Sequence, residues 1–455
     1  MIRFFLIVLL AAATVMGTQV PSPSETGSTQ RVTFNKDVLP ILQRDCQTCH
    51  RTGGPAPMSF LTYESTRPWA RAMKEKVVKR EMPPWFADPR YGDFRNAPKL
   101  TQADIKTIAA WADSGSPEGD AQDKPAPIQW ADGWRSNPDV IISIPEPHRL
   151  AARGGGEIKS FTVNSPFSAD TWVTSIEVRP GNPSVVHHVI VQVEGDTPER
   201  RRTSWGSTEA AATPEFTTME AVYVPGSQPL DFRFHNAAKL IPGKKPIRIE
   251  IHYTPNGKET TDQTMVGFTL AKGSAKRQYI TLAPTSMVDT RKVRIPAGEP
   301  DWQTRGELTF NQDAELVWFM PHMHLRGKDM TFELIYPNGR TETVLSAKFN
   351  YAWQLGYETE EPIRVRKGTR MIVTAHHDNS ANNPFNPDPN EEVRWGGLTS
   401  EEMVLPWFGV VVDLGSKPDR IASYRPGAAQ VSRSGFFPAP GASGGRTPPF
   451  LPNLR

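Results

Sequence analysis

The stretch SVVHHVIVQVE (residues 184–194) alternates apolar and polar side chains as a half-buried β-strand does. Its valines at odd positions share one face with His187, whereas His188 points to the other face. Similar runs of strand length, broken by Gly, Pro, Asn and Asp, continue downstream. The pattern predicts two all-β sandwich domains of jelly-roll-like type, over residues 140–280 and 281–424.

Length and composition limit the class of protein. A chain of 455 residues is long enough for about three domains. Its 52 basic and 49 acidic residues leave a formal net charge of +3. A nucleic-acid partner is therefore not expected, because such partners require a strongly basic surface. The 43 prolines and 34 glycines favour short strands joined by turns.

Three segments, at the two ends of the chain and between the predicted domains, are not expected to belong to a folded domain. Residues 1–19 combine a basic start, a short apolar run and small residues, which is the pattern of a secretory signal peptide. This predicts a secreted or periplasmic protein with no stable membrane insertion after cleavage, since no later segment is apolar for about 18 residues. The Pro- and Gly-rich residues 121–139 and 425–455 predict a linker and a C-terminal tail.

Both cysteines of the chain lie in the motif CQTCH (residues 46–50). The thiols of Cys46 and Cys49, three positions apart, can form thioethers with the vinyl groups of haem, and His50 can then bind the iron. A thioredoxin-like pair would require a βαβ setting that the neighbouring sequence lacks, and a zinc site would require further ligands. The motif therefore predicts covalently bound haem c.

The sequence around this motif favours helices. Residues 34–42, 66–81 and 101–114 have amphipathic patterns, and the last of them is preceded by a capping threonine and followed by glycine. Together with the haem motif they predict a small all-α cytochrome c domain over residues 30–120.

Three methionines are candidates for the sixth ligand of the haem iron. Met82, in EMPPW (residues 81–85), is preferred because its two prolines favour an extended loop that can direct the sulfur toward the iron. Met58 is the alternative, and Met73 has the spacing of a core residue.

Histidines with metal-binding spacing recur in the predicted strands. His252 follows alternating isoleucines and lies on the polar face of its strand. His322 and His324, in PHMHLRG (residues 321–327), project from one face and can bind one metal. Met403 offers a thioether farther along the chain. Taken singly, each histidine is as well explained by solvation and the methionine by core packing.

The ordered set of these motifs resembles the copper type II, ascorbate-dependent monooxygenase family, which includes peptidylglycine alpha-hydroxylating and dopamine beta-monooxygenases. The resemblance covers residues 162–412 and uses four motifs in the family's order. They are His187-His188, His252-Tyr253, His322-Met323-His324 and Ser400-Glu401-Glu402-Met403.

The resemblance implies an enzyme that hydroxylates a C–H bond of a small organic or peptide substrate with O2. It implies two copper ions, an electron-transfer copper bound by His187, His188 and His252 and an oxygen-activating copper bound by His322, His324 and Met403. Ascorbate, another external reductant or a redox partner protein would supply electrons, and the fused haem would relay or replace that reductant.

This chain differs from the family in two respects. The animal enzymes are rich in disulfides, whereas this chain has no cysteine outside the haem motif. The amidating enzymes also have a substrate-binding arginine where this chain has Met320, which argues against a glycine-extended peptide substrate, and Arg326 is not an evident substitute.

Two other functions fit the same motifs. The chain could be a periplasmic electron-transfer cytochrome or copper-binding protein without oxygenase activity, or a zinc-binding module. His376 and His377 lie in a turn-rich segment that favours a polar loop over support of the Met403 copper, and His148 and His235 have the pattern of structural or solvated residues.

Overall fold

The computed structural model describes residues 31–52, 54, 56–129, 134–194, 217–284, 287–289 and 292–425. The predicted signal peptide and the predicted C-terminal tail beyond residue 425 lie outside this part of the chain. Within it, no helix is both long enough and apolar enough to cross a membrane.

The helices are short and lie mostly at the N-terminal end. They are α1 (Leu39–Asp45), preceded by a π-helical turn (Phe34–Val38), α2 (Tyr63–Thr66), α3 (Ala70–Val78), α4 (Gln102–Asp113) and, near the C-terminal end, α5 (Pro418–Ile421). The start of α4 is fixed by a capping box, in which Thr101 and Asp104 each bond to the other's backbone N–H. Its buried face, formed by Ile105, Ile108 and Trp111, has the spacing of one side of a helix.

Strands form the rest of the described chain. The first half contains β1 (Val140–Ser143), β2 (His148–Leu150), β3 (Glu157–Val163), β4 (Thr171–Arg179), β5 (Val186–Val193), β6 (Thr217–Thr218), β7 (Ala221–Tyr223), β8 (Leu230–Asp231), β9 (Lys239–Ile241), β10 (Ile247–Tyr253), β11 (Thr260–Asp262) and β12 (Met265–Leu270). The second half contains β13 (Gln278–Ala283), β14 (Arg294–Ile295), β15 (Trp302–Phe310), β16 (Ala314–His322), β17 (Gly327–Ile335), β18 (Thr341–Lys348), β19 (Tyr357–Val365), β20 (Arg370–His377), β21 (Val393–Arg394), β22 (Leu405–Val412) and β23 (Ala422–Arg425).

Four larger sheets organise these strands. Sheet 1 has the order β1-β12-β4-β8 with β9 also paired to β4, and sheet 2 has the order β3-β10-β5-β7. Sheet 3 has the order β19-β16-β22-β13-β6, and sheet 4 has the order β18-β17-β20-β15-β23. The pairs β2–β11 and β14–β21 are separate two-stranded ribbons.

The predicted fold class, a small all-α cytochrome c domain followed by two β-sandwich domains, is wrong. The protein is mostly β, with 37% strand and only 15% helix, and the described residues contain no sizeable all-α cytochrome domain. The segment after α3 leaves the helices and packs on the strands: Ala87 and Phe94 form β-bridges with Ala347 and Thr359. Local amphipathic patterns identified helices correctly but could not reveal that the sequence between them packs against the β-sheets.

Sheet 3 has both faces buried, because it packs on sheets 1 and 2 as well as on sheet 4. Along β22, Trp407 and Val411 pack in one core with side chains of sheets 1 and 2. Phe408 and Val410 pack in a second core with side chains of sheet 4. The sequence LPWFGVVV of this strand is a continuous apolar run, as expected of a strand buried on both faces.

Candidate metal centre

A β-bulge turns the adjacent side chains of His187 and His188 toward one another. His252 on β10 lies opposite His188, and the next residue, Tyr253, lies opposite Val186, so His187 is an extra residue in the pairing. A bulge bends the strand and redirects a side chain that would otherwise point to the opposite face. The pair lies at the start of β5 and at a bulge, the two settings in which adjacent histidines can converge.

His187, His188 and His252 form a compact donor set. One ring nitrogen from each lies within 4.8 Å of those of the other two. Burial lowers the pKa of His187 to about 4 and holds the pKa values of His188 and His252 well below their usual range. All three rings are therefore neutral at pH 7, as metal ligation requires. An all-imidazole set of this geometry fits copper or zinc.

The tautomer of His187 is fixed by Tyr351. Its Nε2 donates a hydrogen bond of 2.9 Å to the Tyr351 carbonyl, and the two rings stack at 4.6 Å between centroids. Nδ1 is left to face the other donors and lies 3.1 Å from Nδ1 of His188. Such a bond to the distal nitrogen is the usual way in which proteins orient a ligating imidazole.

His322 and His324 form the second pair, at the end of β16. Nδ1 of His322 donates to Oε1 of Gln354 at 2.5 Å, and Nδ1 of His324 donates to the Glu401 carbonyl at 3.0 Å. Each ring therefore keeps Nε2 free for a metal. Burial lowers the pKa of His322 to about 3 and that of His324 to about 4, so both are neutral at pH 7.

Met403 completes this second set. Its side chain is 2% exposed and lines the same cavity as His322 and His324. A thioether added to two imidazoles makes a softer donor set, which favours Cu(I) over Cu(II) and over zinc.

One buried carboxylate holds the backbone of the second set in place. Glu402 is fully buried, and its oxygens accept hydrogen bonds from the backbone N–H groups of His324, Arg326 and Met403 at 3.0, 2.6 and 3.2 Å. Burial raises the pKa of Glu402 to about 7. The carboxylate thus joins two chain segments that are far apart in sequence.

Arg326 faces the protein interior and not a substrate. Its guanidinium donates to Oδ1 of Asn379 at 2.9 Å and to the Ser400 carbonyl at 2.7 Å, and the residue is 2% exposed. It therefore does not replace the substrate-binding arginine that is absent at Met320.

The two donor sets meet in one cavity of about 30 Å³. The rings of His188 and His322 are 5.9 Å apart between centroids in an edge-to-face arrangement. The cavity is lined by Ile158, His188, Ile190, Glu250, His252, His322, His324, Tyr351, Gly397, Thr399, Met403, Leu405 and Trp407. The sequence placed these histidines in separate domains, and the structure brings them together.

A loop between β18 and β19, residues 350–355 and here called the bridging loop, contacts both donor sets. The Tyr351 carbonyl accepts a bond from His187 and a second one, of 3.4 Å, from Nε2 of Gln354. The same Gln354 accepts from His322 through Oε1. The loop therefore fixes the first set relative to the second.

The predicted haem motif lies beside this loop. A Cβ added at Gly226 would lie 3.8 Å from Sγ of Cys49 and 3.7 Å from the ring of Trp353. Both thiols, of Cys46 and Cys49, are free, as thioether attachment requires. Nδ1 of His50 donates to a backbone carbonyl at 3.2 Å, which leaves Nε2 for iron. These residues fit covalent haem.

The choice of sixth haem ligand stays a prediction. Met73 is buried in the helical core, in agreement with its spacing. Met58 packs against that core, and its carbonyl is the partner of His50. Met82 is partly buried in the loop after α3.

His376 and His377 lie at the end of β20, not in a loop. His377 is fully buried, and its Nε2 lies 3.6 Å from Oε2 of Glu402. His376 is partly exposed and bonds to Asp329 at 2.6 Å. His377 therefore lies beside the segment that carries Met403, whereas His376 pairs with Asp329.

The remaining histidines have structural partners. Nε2 of His148 lies 2.7 Å from Oε1 of Glu157, and its ring stacks on Tyr253. His235 pairs with Glu358 at 3.2 Å.

Three supporting residues were missed from the sequence. Tyr351 and Gln354 lie in a loop with no pattern that connects them to a histidine, and no sequence signal would have found them. Glu402 stands within the motif that contains Met403. Its position beside a candidate ligand was the only available signal of its role.

Comparison with known proteins does not place the chain in a family. No family model matches it, and no curated protein matches it.

The solved structures that are similar to this chain resemble it only remotely. An allantoicase is 9% identical, covering 51% of this chain and 79% of its own, with a TM-score of 0.14. The VP2 subviral particle of infectious bursal disease virus is 10% identical, covering 65% and 76%, with a TM-score of 0.18. A Bacillus subtilis oxalate decarboxylase variant is 7% identical, covering 62% and 78%, with a TM-score of 0.13. At these scores the likenesses carry no functional argument.

Proposed function

We propose that the protein is a copper-dependent monooxygenase that hydroxylates a C–H bond with O2 and receives electrons through its own haem c. The observation that carries the proposal is the convergence of two donor sets: His188, His252, His322, His324 and Met403 line one cavity, and His187 lies beside His188 and His252. Six donors from distant positions, with five imidazoles held neutral and three of them oriented by hydrogen bonds to loop residues, are not expected of structural residues alone.

The two donor sets suit different tasks. Three imidazoles accommodate both Cu(I) and Cu(II), which suits electron transfer, whereas two imidazoles with a thioether favour Cu(I), the state that reacts with O2. Bound copper would supply one-electron chemistry with dioxygen. The protein's own residues hold the imidazoles neutral, direct their free nitrogens inward and limit the access of water.

The proximity of Cys49 and Trp353 across Gly226 supports direct electron transfer from haem to the first copper. From Trp353, the bridging loop continues through two peptide bonds to Tyr351, which contacts His187. Ascorbate, another small reductant or a redox protein would reduce the haem. Export to the periplasm or outside the cell would suit this assembly.

Metal content tests the proposal. Protein matured in an oxidising compartment with haem and copper should contain one haem and two coppers per chain, and Met403→Leu should lose one copper. Met330→Leu, a control within the second hydrophobic core, should keep both. Zinc in preference to copper, or full copper content in Met403→Leu, would contradict the proposal.

Oxygen consumption separates the monooxygenase from a second candidate. The cavity is small, and this favours a protein that passes electrons without binding a substrate. The reduced, copper-loaded enzyme should consume O2 faster when a C–H substrate is supplied from a panel of small organic molecules and peptides. Electron transfer with no substrate-dependent oxygen consumption would favour the carrier.

Haem attachment gives an independent prediction. Cys46→Ser and Cys49→Ser should each weaken covalent haem retention, measured as haem that stays with the chain after denaturation. Met82→Ala should abolish the optical signature of methionine-ligated low-spin haem, and Met58→Ala should leave it intact. The reverse result would assign the sixth ligand to Met58.

A further inference from the structure

The two thiols of the predicted haem motif face different parts of the protein. Cys46 packs against the core of the helices, which includes residues of α1, α3 and α4. Cys49 faces the β region instead: a Cβ added at Gly226, in the turn between β7 and β8, would lie 3.8 Å from its Sγ. Thioethers hold the edge of a haem directly beside both sulfurs. A haem attached to this motif must therefore lie where the helices meet the β region.

The β region presents an ordered turn to the second thiol. A hydrogen bond of 3.0 Å from the N–H of Ser227 to the carbonyl of Val224 closes this turn, and the Pro225-Gly226 pair at its centre is typical of a type II turn. Gly226 has a backbone φ of 85°, in the left-handed region that favours glycine. The position of its missing Cβ also lies 3.7 Å from the ring of Trp353 in the bridging loop. The haem motif and the bridging loop thus approach the turn from two sides.

Arg135 provides a second connection between the motif and the β region. Its guanidinium donates to the carbonyl of Thr48, within the motif, at 3.3 Å and to the side-chain oxygen of Gln228, in the loop that carries Gly226. The backbone N–H of Arg135 donates at 2.8 Å to the carboxylate of Glu177, a buried residue of β4. The haem motif is therefore held against sheet 1 by hydrogen bonds.

We propose that the haem site is shared between the helices and the β region, and that Trp353 and the turn at Gly226 form its wall on the side of Cys49. This inference rests on the proposed function, because it takes haem as the group that the motif binds. The wall shields one edge of the haem from water and raises its reduction potential, since a less polar setting disfavours the additional positive charge of ferric iron. One electron then passes from ferrous haem to Cu(II) at the first donor set, so that the iron is oxidised as the copper is reduced.

An asparagine at Gly226 tests the shared site in the full chain. Asparagine adopts the left-handed conformation more readily than most residues, and its side chain would enter the space between Cys49 and Trp353. The haem reduction potential is measured by spectroelectrochemistry before copper is added. Gly226→Asn should keep covalent haem but lower this potential, because a polar group reaches the edge of the haem.

Electron transfer is then measured on the copper-loaded protein. A soluble flavin, reduced by a light pulse, donates one electron to the oxidised haem, and the haem absorbance follows reoxidation by Cu(II). Gly226→Asn should slow this reoxidation. Gly339→Asn is the matched control, since Gly339 has a φ of 84° and a Cβ added there would meet open space among the described residues. The control should keep the potential and the rate of the unaltered protein.

Trp353→Leu tests the same wall without a change in the turn, and it decides the question if Gly226→Asn does not mature. It should also lower the potential and slow the reoxidation. Unchanged potentials and rates in these variants would mean that the helices alone hold the haem, which would overturn the shared site and leave the monooxygenase proposal standing.

The unaltered protein separates this inference from the proposed function. If its reduced haem is not reoxidised by bound Cu(II), the proposed electron route fails. The potentials of the copper-free variants then still decide whether the β region forms part of the haem site, because that measurement does not involve copper.

Discussion

Metal-free protein should lose several kcal/mol of its free energy of unfolding when the pH falls from 6.5 to 4. Burial lowers the pKa of His322 to about 3 and those of His324 and His377 to about 4. In this window the unfolded chain binds protons at these histidines and the folded protein does not, so acid favours unfolding. A shift of one pKa unit corresponds to about 1.4 kcal/mol, so each histidine contributes about 3 kcal/mol.

One buried group acts in the opposite direction. Burial raises the pKa of Glu402 to about 7, so the folded protein holds this proton while the unfolded chain releases it. The contribution of Glu402 to stability is therefore greatest below its unfolded pKa of 4.5 and is lost as the pH rises to about 7. It offsets part of the histidine effect between these values, but the buried histidines outweigh one carboxylate, because burial also lowers the pKa values of His187, His188 and His252.

Urea unfolding of the metal-free protein at a series of pH values measures this effect. His322→Phe should reduce the pH dependence by about one proton, because it removes one of the titrating groups. His376→Gln should not reduce it, since the pKa of this partly exposed histidine is raised by Asp329 and not lowered. A free energy that does not change between pH 6.5 and 4 would mean that these rings are not buried as described.

Glu402→Ala should lower the free energy of unfolding by about 3–5 kcal/mol, as expected for removal of one member of a buried charged network. The substitution leaves the backbone N–H groups of His324, Arg326 and Met403 without their acceptor. It also leaves the Arg326 guanidinium without a nearby buried counter-charge. Because His324 and Met403 are candidate ligands, the variant should lose one copper as well.

The neighbouring residue provides a matched control. Glu401 is partly exposed, and its side chain accepts from the backbone N–H of Leu398 at 2.9 Å. Glu401→Ala should therefore cost about 1 kcal/mol and retain both coppers. Equal losses for the two variants, measured by urea unfolding and metal analysis, would contradict the special role of Glu402.

The sequence predicted local structure better than long-range packing. The alternation in residues 184–194 placed His187 and His188 on a strand correctly, and His322 also lies on a strand, whereas His324 follows the end of β16. Periodicity identifies which face of a strand a residue occupies, but not which sheet covers that face. For this reason His252 was expected on a polar face, whereas the structure buries it beside the cavity.

The supporting residues show the same limit. Gln354 and Tyr351 act only because a loop between two strands folds over both donor sets, and this depends on contacts between residues more than 30 positions apart. The packing of sheet 3 against layers on both of its faces also depends on such long-range contacts. The two layers that cover β22 come from opposite halves of the chain.

The position of sheet 3 between two cores has a consequence for how the protein unfolds. Because alternate side chains of β22 belong to different cores, neither core can open without removing a strand from the other. The two halves of the β region should therefore melt together as one cooperative unit, and the last long strand to be synthesised must be in place before either half is stable. A chain that ends before residue 405 would then expose apolar surface from both cores at once, and we expect it to aggregate and not to persist as a smaller folded fragment.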